Sequence, residues 1–158
     1  MRVLSIDPGY ERVGIAVLED GNPHKLIYSE CLKTKSSLLF NQRLLEIGKG
    51  IEKVIKEYKP ESMAVEKLFF TTNQKTVMGV SEARGVVIYE GAKAGLKIYE
   101  YTPLQIKIAT TGYGKAPKDQ VNLMVRQLIK IEKEIKHDDE MDAIAVGLTC
   151  LACYRSEV

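Results

Sequence analysis

Apolar and polar residues alternate at the start of the chain. Val3, Leu4 and Ile6 lead to Asp7, the Pro8-Gly9 pair forces a turn, and Val13 to Leu18 resume as a strand. A second turn, Glu19-Asp20-Gly21-Asn22-Pro23, precedes Lys25 to Ser29, which completes an expected three-strand antiparallel meander. The period then changes. After Ser36 or Ser37 as N-cap, apolar residues recur at Phe40, Leu44, Ile47, Ile51, Val54 or Ile55, and Tyr58, the three-and-four spacing of one helix face, until Lys59-Pro60 stops it. Met63 to Glu66 reads as a short buried strand. A helix from about Asn73 to Ala94 follows, with Gly95 at the C′ position, and Leu96 to Tyr101 is strand again. This order favours parallel pairing through right-handed crossovers. Another helix, with Pro117 at N1, carries Val121, Met124 or Val125, Leu128, Ile131 and Ile135 on one face. The last helix starts near Asp138 or Asp139 and buries Met141, Ile144, Ala145, Leu148 and Leu151. The expected fold is α/β: a five-stranded mixed sheet, three strands antiparallel and then parallel ones, flanked by helices.

Composition narrows this picture. A chain of 158 residues is expected to form one domain spanning 1–158 and to bury roughly 70% of its unfolded surface. No apolar run approaches the ~20 residues needed to cross a bilayer, so no membrane partner is expected. The N-terminus lacks the apolar stretch and cleavage site of a signal peptide, and the expected location is cytoplasmic. Cys150 and Cys153 fall inside an apolar helical pattern and, with Cys31, read as packing residues. The net charge of +2 is weak evidence for a polyanionic partner, but its distribution is uneven. Between Pro103 and Ile131 five basic residues (Lys107, Lys115, Lys118, Arg126, Lys130) face one acid, Asp119. From His137 onward five acids face one base, Arg155.

The candidate chemistry lies in four acids. Asp7 closes the first strand and Glu66 the fourth, so the two carboxylates share a sheet edge if those strands are neighbours. Asp139 and Asp142 stand three apart on a helix and project from one face. Each has a plainer reading: Asp7 as a turn former, Glu66 as an exposed strand end, Asp138 or Asp139 as a helix cap. Asp142, inside the helix beside Met141 and Ala145, is harder to explain that way. Four carboxylates around one point would repel one another, take up protons or loosen the structure unless cations neutralised them. Two Mg²⁺ ions would do so and would support in-line phosphodiester cleavage, with Mn²⁺ expected to substitute. Zinc is disfavoured because neither histidine nor cysteine stands among the presumed ligands.

Four blocks, Ile6-Asp7-Pro8-Gly9 with Gly14, Val65-Glu66 with Phe69, Glu82-Ala83-Arg84-Gly85, and Asp139-Glu140-Met141-Asp142-Ala143, together resemble the RuvC-type Holliday-junction resolvases across nearly the whole chain. The resemblance implies a ribonuclease H-like fold and a homodimer that nicks two strands of four-way junction DNA symmetrically during recombination and repair. It implies the four acids as metal ligands, Phe69 near the unpaired junction centre, and Lys107 and Lys118 as phosphate contacts. A branch-migration helicase complex is left open as a further partner. Glu140 and Met141 stand where the family usually has small residues, and Asp138 or His137 are substitutes for Asp139 as the third ligand.

The supporting residues agree in part. Phe69 and Phe70 after a strand end offer stacking surfaces, although such pairs are also common in cores. Lys118 lies in the first turn of a helix, whose positive end disfavours a cation, and this hints at an external anion. The loop from Thr110 to Lys115 is basic enough to follow a phosphate backbone. Val86, Val87 and Tyr89 suggest the helix 73–94 as part of a dimer interface. The competing expectations are a ribonuclease H-like enzyme acting on RNA or hybrids, a non-catalytic junction-binding protein, and an actin-like ATPase suggested by Asp7 and Gly9.

Overall fold

A computed structural model describes residues 1–68 and 74–156. The sheet runs in the order β5-β4-β1-β2-β3-β6. Strands β1 (Arg2–Asp7), β2 (Arg12–Glu19) and β3 (His24–Lys33) form the antiparallel meander, and β3 extends well past the expected Ser29. β4 (Ser62–Glu66) and β5 (Lys97–Tyr101) add in parallel on the other side of β1. The sixth strand, β6 (Ile129–Lys130), is a two-residue parallel addition to β3, so the sheet has six strands rather than five.

Alternation along β1 sends Leu4 and Ile6 to one face and Val3 to the other. On the first face lie α1 (Phe40–Tyr58) and α2 (Gln74–Lys93), with Ile47, Ile51, Val54, Ala83 and Val87 closing the core. On the second lie α3 (Pro103–Thr111), α4 (Lys118–Leu128) and α5 (Asp138–Ser156), whose Ile144, Val146, Cys150 and Leu151 are buried. Cys150 is thus a packing residue, as expected. The chain leaves α2 through Gly95 at φ +72°, a left-handed conformation that costs glycine little. Among the described residues no helix is long and apolar enough to cross a membrane.

Four local expectations are corrected. The N-cap of α1 is Leu39, not Ser36 or Ser37; its backbone N–H donates to Gln42 Oε1 at 3.0 Å, so a side chain within the first turn does the capping. Helix α3 was hidden in the Thr102-Pro103-Leu104-Gln105 sequence, where Thr102 Oγ1 accepts from the Gln105 N–H at 3.1 Å and Gln105 Oε1 accepts from the Thr102 N–H at 2.9 Å. Helix α4 begins after Pro117 and stops at Leu128 instead of running on to Ile135, because Ile129 is extended and buried as sheet. Finally, Val87 is fully buried and Val86 packs against the same core, which leaves Tyr89, 63% exposed, as the outward member of the suggested interface trio.

Candidate active site

Parallel pairing of β1 with β4 aligns Ile6 with Val65, so Asp7 and Glu66 leave the same sheet edge side by side. Both are partly buried and their side chains share a hydrogen bond. Burial, followed by the negative charges of Glu66, Asp142 and Asp139, pushes the Asp7 carboxyl up to about 8. Glu66 is raised by burial and by Asp142, against the opposing pull of its bond to Asp7 and of Lys118. Asp142 is raised in the same way, chiefly by burial, with Lys118 acting against the rise. The rise on Asp7, with Glu66 hydrogen-bonded beside it, is the response expected of like charges gathered in a partly dry site.

The N-terminus of α5 delivers the other acids. Asp138, Asp139 and Glu140 occupy its first turn, where negative charge is welcome. Asp139 Oδ2 lies 3.6 Å from Arg12 Nε and 3.8 Å from the thiol of Cys31. Burial and then Asp139 push that thiol up to about 11, so it is a neutral donor. Asp138 is an exposed partner of Lys118 at 3.5 Å. His137 lies just before the helix, its carbonyl oxygen accepting from the Glu140 N–H. Glu140 turns inward, where Ser29 Oγ donates to it at 2.9 Å and Lys133 Nζ at 2.7 Å.

Lys118 Nζ lies 3.0 Å from Asp142 Oδ2. This accounts for the cation at the positive end of α4: it answers two carboxylates of α5. Beside it opens a cavity of about 290 Å³, lined by Glu66, Lys107, Lys118 and Asp142 on its polar side and by Ile106 and Val121 on its apolar side. Lys115 is exposed in the α3–α4 loop and is not part of this lining. Phe69 and Phe70 lie outside the described residues.

The structure thus brings Asp7, Glu66, Asp142, Lys107 and Lys118 to one cavity region, with Asp139 within electrostatic reach of Asp7 but engaged by Arg12 and Cys31. Among the described residues no three acidic, histidine or cysteine side chains already converge as a metal cluster. Lys118 pairs with Asp142, and Arg12 lies beside Asp139. The contacts of Arg12, Cys31 and Ser29 with α5 had no signal in the sequence, since they join residues more than a hundred positions apart.

The family model for the crossover junction endodeoxyribonuclease RuvC matches residues 3–150. Curated relatives carrying that description include proteins of Desulforamulus reducens, 44% identical over 99% of this chain and 96% of its own length, and Halothermothrix orenii, 44% identical over 98% and 94%. Among solved structures, Thermus thermophilus RuvC in complex with a Holliday junction substrate superposes with a TM-score of 0.93 at 31% identity, covering 99% of this chain and 96% of that one. A yeast mitochondrial Holliday junction resolvase, 10% identical with a TM-score of 0.70 over 95% of this chain and 77% of its own, shares the fold.

Proposed function

The chain belongs to the RuvC family of crossover junction endodeoxyribonucleases, and from that premise we propose that it cuts four-way DNA junctions at the carboxylate cluster formed by Asp7, Glu66, Asp139 and Asp142. It is a Holliday-junction resolvase, a hydrolase of phosphodiester bonds with an α/β ribonuclease H-like fold. The observation that carries the site is geometric: the parallel β1–β4 register sets Asp7 and Glu66 at one sheet edge, and Glu66, Asp142, Lys107 and Lys118 line one cavity there.

Membership of the family implies a metal-dependent nuclease. The residues fit divalent cations: the donors are hard carboxylate oxygens, and burial with mutual repulsion leaves them short of positive charge. We assign Mg²⁺, two per site, with Mn²⁺ able to substitute. When bound, the metal supplies an activated water and stabilises the departing 3′-oxygen. Asp7, Glu66 and Asp142 are the residues that would hold it, with Asp139 completing the set by leaving Arg12. Asp7 must give up its proton to do so. Lys118, released from Asp142 once the carboxylates are neutralised, can turn to a substrate phosphate, and Lys107 lines the same cavity. Lys115, together with Phe69 and Phe70, would extend the DNA contact beyond it.

A four-way junction has near two-fold symmetry, and a homodimer would present two equivalent sites to two equivalent strands. The test is a labelled immobile junction incubated with Mg²⁺, Ca²⁺ or EDTA. The wild type should nick two opposed strands with Mg²⁺ only, and Asp7→Asn should bind the junction without cutting it. Wild-type cleavage by that variant would remove Asp7 from the mechanism.

A further inference from the structure

Glu66 is the last residue of β4. On the β1 side the ladder stops at Ile6 and Val65, and on the β5 side Glu66 pairs with Tyr101. Its carbonyl oxygen accepts from Arg84 Nε at 3.2 Å. Arg84 reaches it from α2, and Nη2 of the same guanidinium donates to Glu100 Oε2 on β5. The next residue, Lys67, closes the corner by donating its N–H to the Tyr101 carbonyl at 2.8 Å. One side chain therefore ties α2, β4 and β5 together directly beneath a site carboxylate, without touching that carboxylate.

We infer that Arg84 is a positioning residue for the metal-binding carboxylate of Glu66, clamping the strand end through its carbonyl while Glu100 holds the guanidinium in place. The inference rests on the reading of Glu66 as a ligand. Rotation about the Glu66 backbone would swing the carboxylate, and a displacement near 1 Å suffices to slow chemistry on the order of a hundredfold. Only a planar fork can serve the two acceptors at once: Nε and Nη2 donate along separate directions, whereas a lysine ammonium is a point charge on a flexible stem. Glu100 also balances the guanidinium charge, so the clamp adds little net positive field to the site. Arg84 is only 19% exposed, its guanidinium pushed down by burial, and a phosphate contact is poorly suited to that position.

The test compares Arg84→Gln, Arg84→Lys and Glu100→Ala with wild type and Glu66→Gln, all as full-length protein. Three quantities are measured: the Mn²⁺ concentration giving half of the maximal rise in melting temperature without DNA, junction binding in Ca²⁺, and cleavage rate against Mg²⁺ concentration. Arg84→Gln should need about tenfold more Mn²⁺ for the same stabilisation and cleave about 10- to 100-fold more slowly, with junction binding within about twofold of wild type. Arg84→Lys should recover only part of this, and Glu100→Ala should shift metal response in the same direction. In a Glu66→Gln background, Arg84→Gln should change the metal response no further. A wild-type Mn²⁺ midpoint in both Arg84→Gln and Glu100→Ala overturns the proposal, as does junction binding that falls in step with cleavage. If Arg84→Gln fails to fold, Glu100→Ala decides by the same midpoint. A wild-type metal response in Glu66→Gln would overturn the assignment of Glu66 itself, and the Arg84 inference with it.

Discussion

Gly14 of β2 faces the backbone of Asp139 at the start of α5: a Cβ at this position would overlap the Asp139 carbonyl and come within 3.2 Å of Asp7 Cβ. The missing side chain is what lets the helix carrying Asp139 and Asp142 press against the strand edge carrying Asp7. Asp7 and Gly14 are also partners in the β1–β2 register, so three of the site's backbones meet at this one point.

Gly14→Ala should therefore push α5 outward. The collision involves backbone and cannot be relieved by a rotamer change, so the expected cost is about 1 to 3 kcal/mol of stability. Cleavage should fall by a larger factor, on the order of a hundredfold, because the ligand-bearing turn is displaced. Thermal denaturation and single-turnover cleavage read the two effects separately.

Stability without metal should depend on pH in an unusual direction. The folded state holds a proton on Asp7 up to about pH 8, whereas the unfolded chain releases it near 3.8, so between these values the native state binds more protons and stability falls as pH rises. The slope is at most about 1.4 kcal/mol per pH unit for one retained proton. Melting temperatures in EDTA at pH 5, 6, 7 and 8 should decline, Mg²⁺ should reverse the decline at pH 8, and Asp7→Asn should flatten it while stabilising the metal-free protein. A declining curve retained in Asp7→Asn would assign the effect to other groups.

Lys118 is raised in spite of burial, which acts first and against it, by Asp142 and Asp138. Lys118→Met removes the cation that keeps Asp142 from rising further. Cleavage should drop by about tenfold or more, equivalent to ~1.4 kcal/mol, and its pH profile should move to higher pH as the carboxylates hold their protons longer. Rate measurements from pH 6 to 9 at saturating Mg²⁺ provide the check.

Glu140 is buried, and its carboxylate accepts from Lys133 and Ser29. Lys133→Ala should cost roughly 2 to 3 kcal/mol, below the loss for a fully buried pair because Lys133 is 45% exposed. The melting temperature should fall by about 5 to 10 °C, with junction cleavage retained at a temperature where the variant is folded. Glu140→Gln, which removes the buried charge as well, should be milder than Lys133→Ala.

Much of this molecule is written in local pattern. Period-two alternation ending at Asp7, the Pro8-Gly9 turn, the helical spacing from Phe40 to Tyr58 and the close of β4 at Glu66 depend on neighbours in sequence, and all are realised in the structure. Strand-helix-strand order favoured parallel pairing but left open whether the first and fourth strands are neighbours; the structure pairs β4 with β1 and so sets Glu66 beside Asp7. The sequence therefore determined where most strands and helices lie and which acids stand at their ends. What it could not determine depends on partners far along the chain. β6 forms because Ile129 finds the free edge of β3, overriding a helical spacing that continues to Ile135. Lys118 looked like a lone misplaced cation until α5 brought Asp138 and Asp142 to it. Asp139 meets Arg12 and Cys31, and Arg84 meets the Glu66 carbonyl, only once helices are docked on the sheet. Periodicity reports which side of an element is dry, whereas charge pairing and protonation depend on distances that only packing creates, and the state of the four acids was decided there.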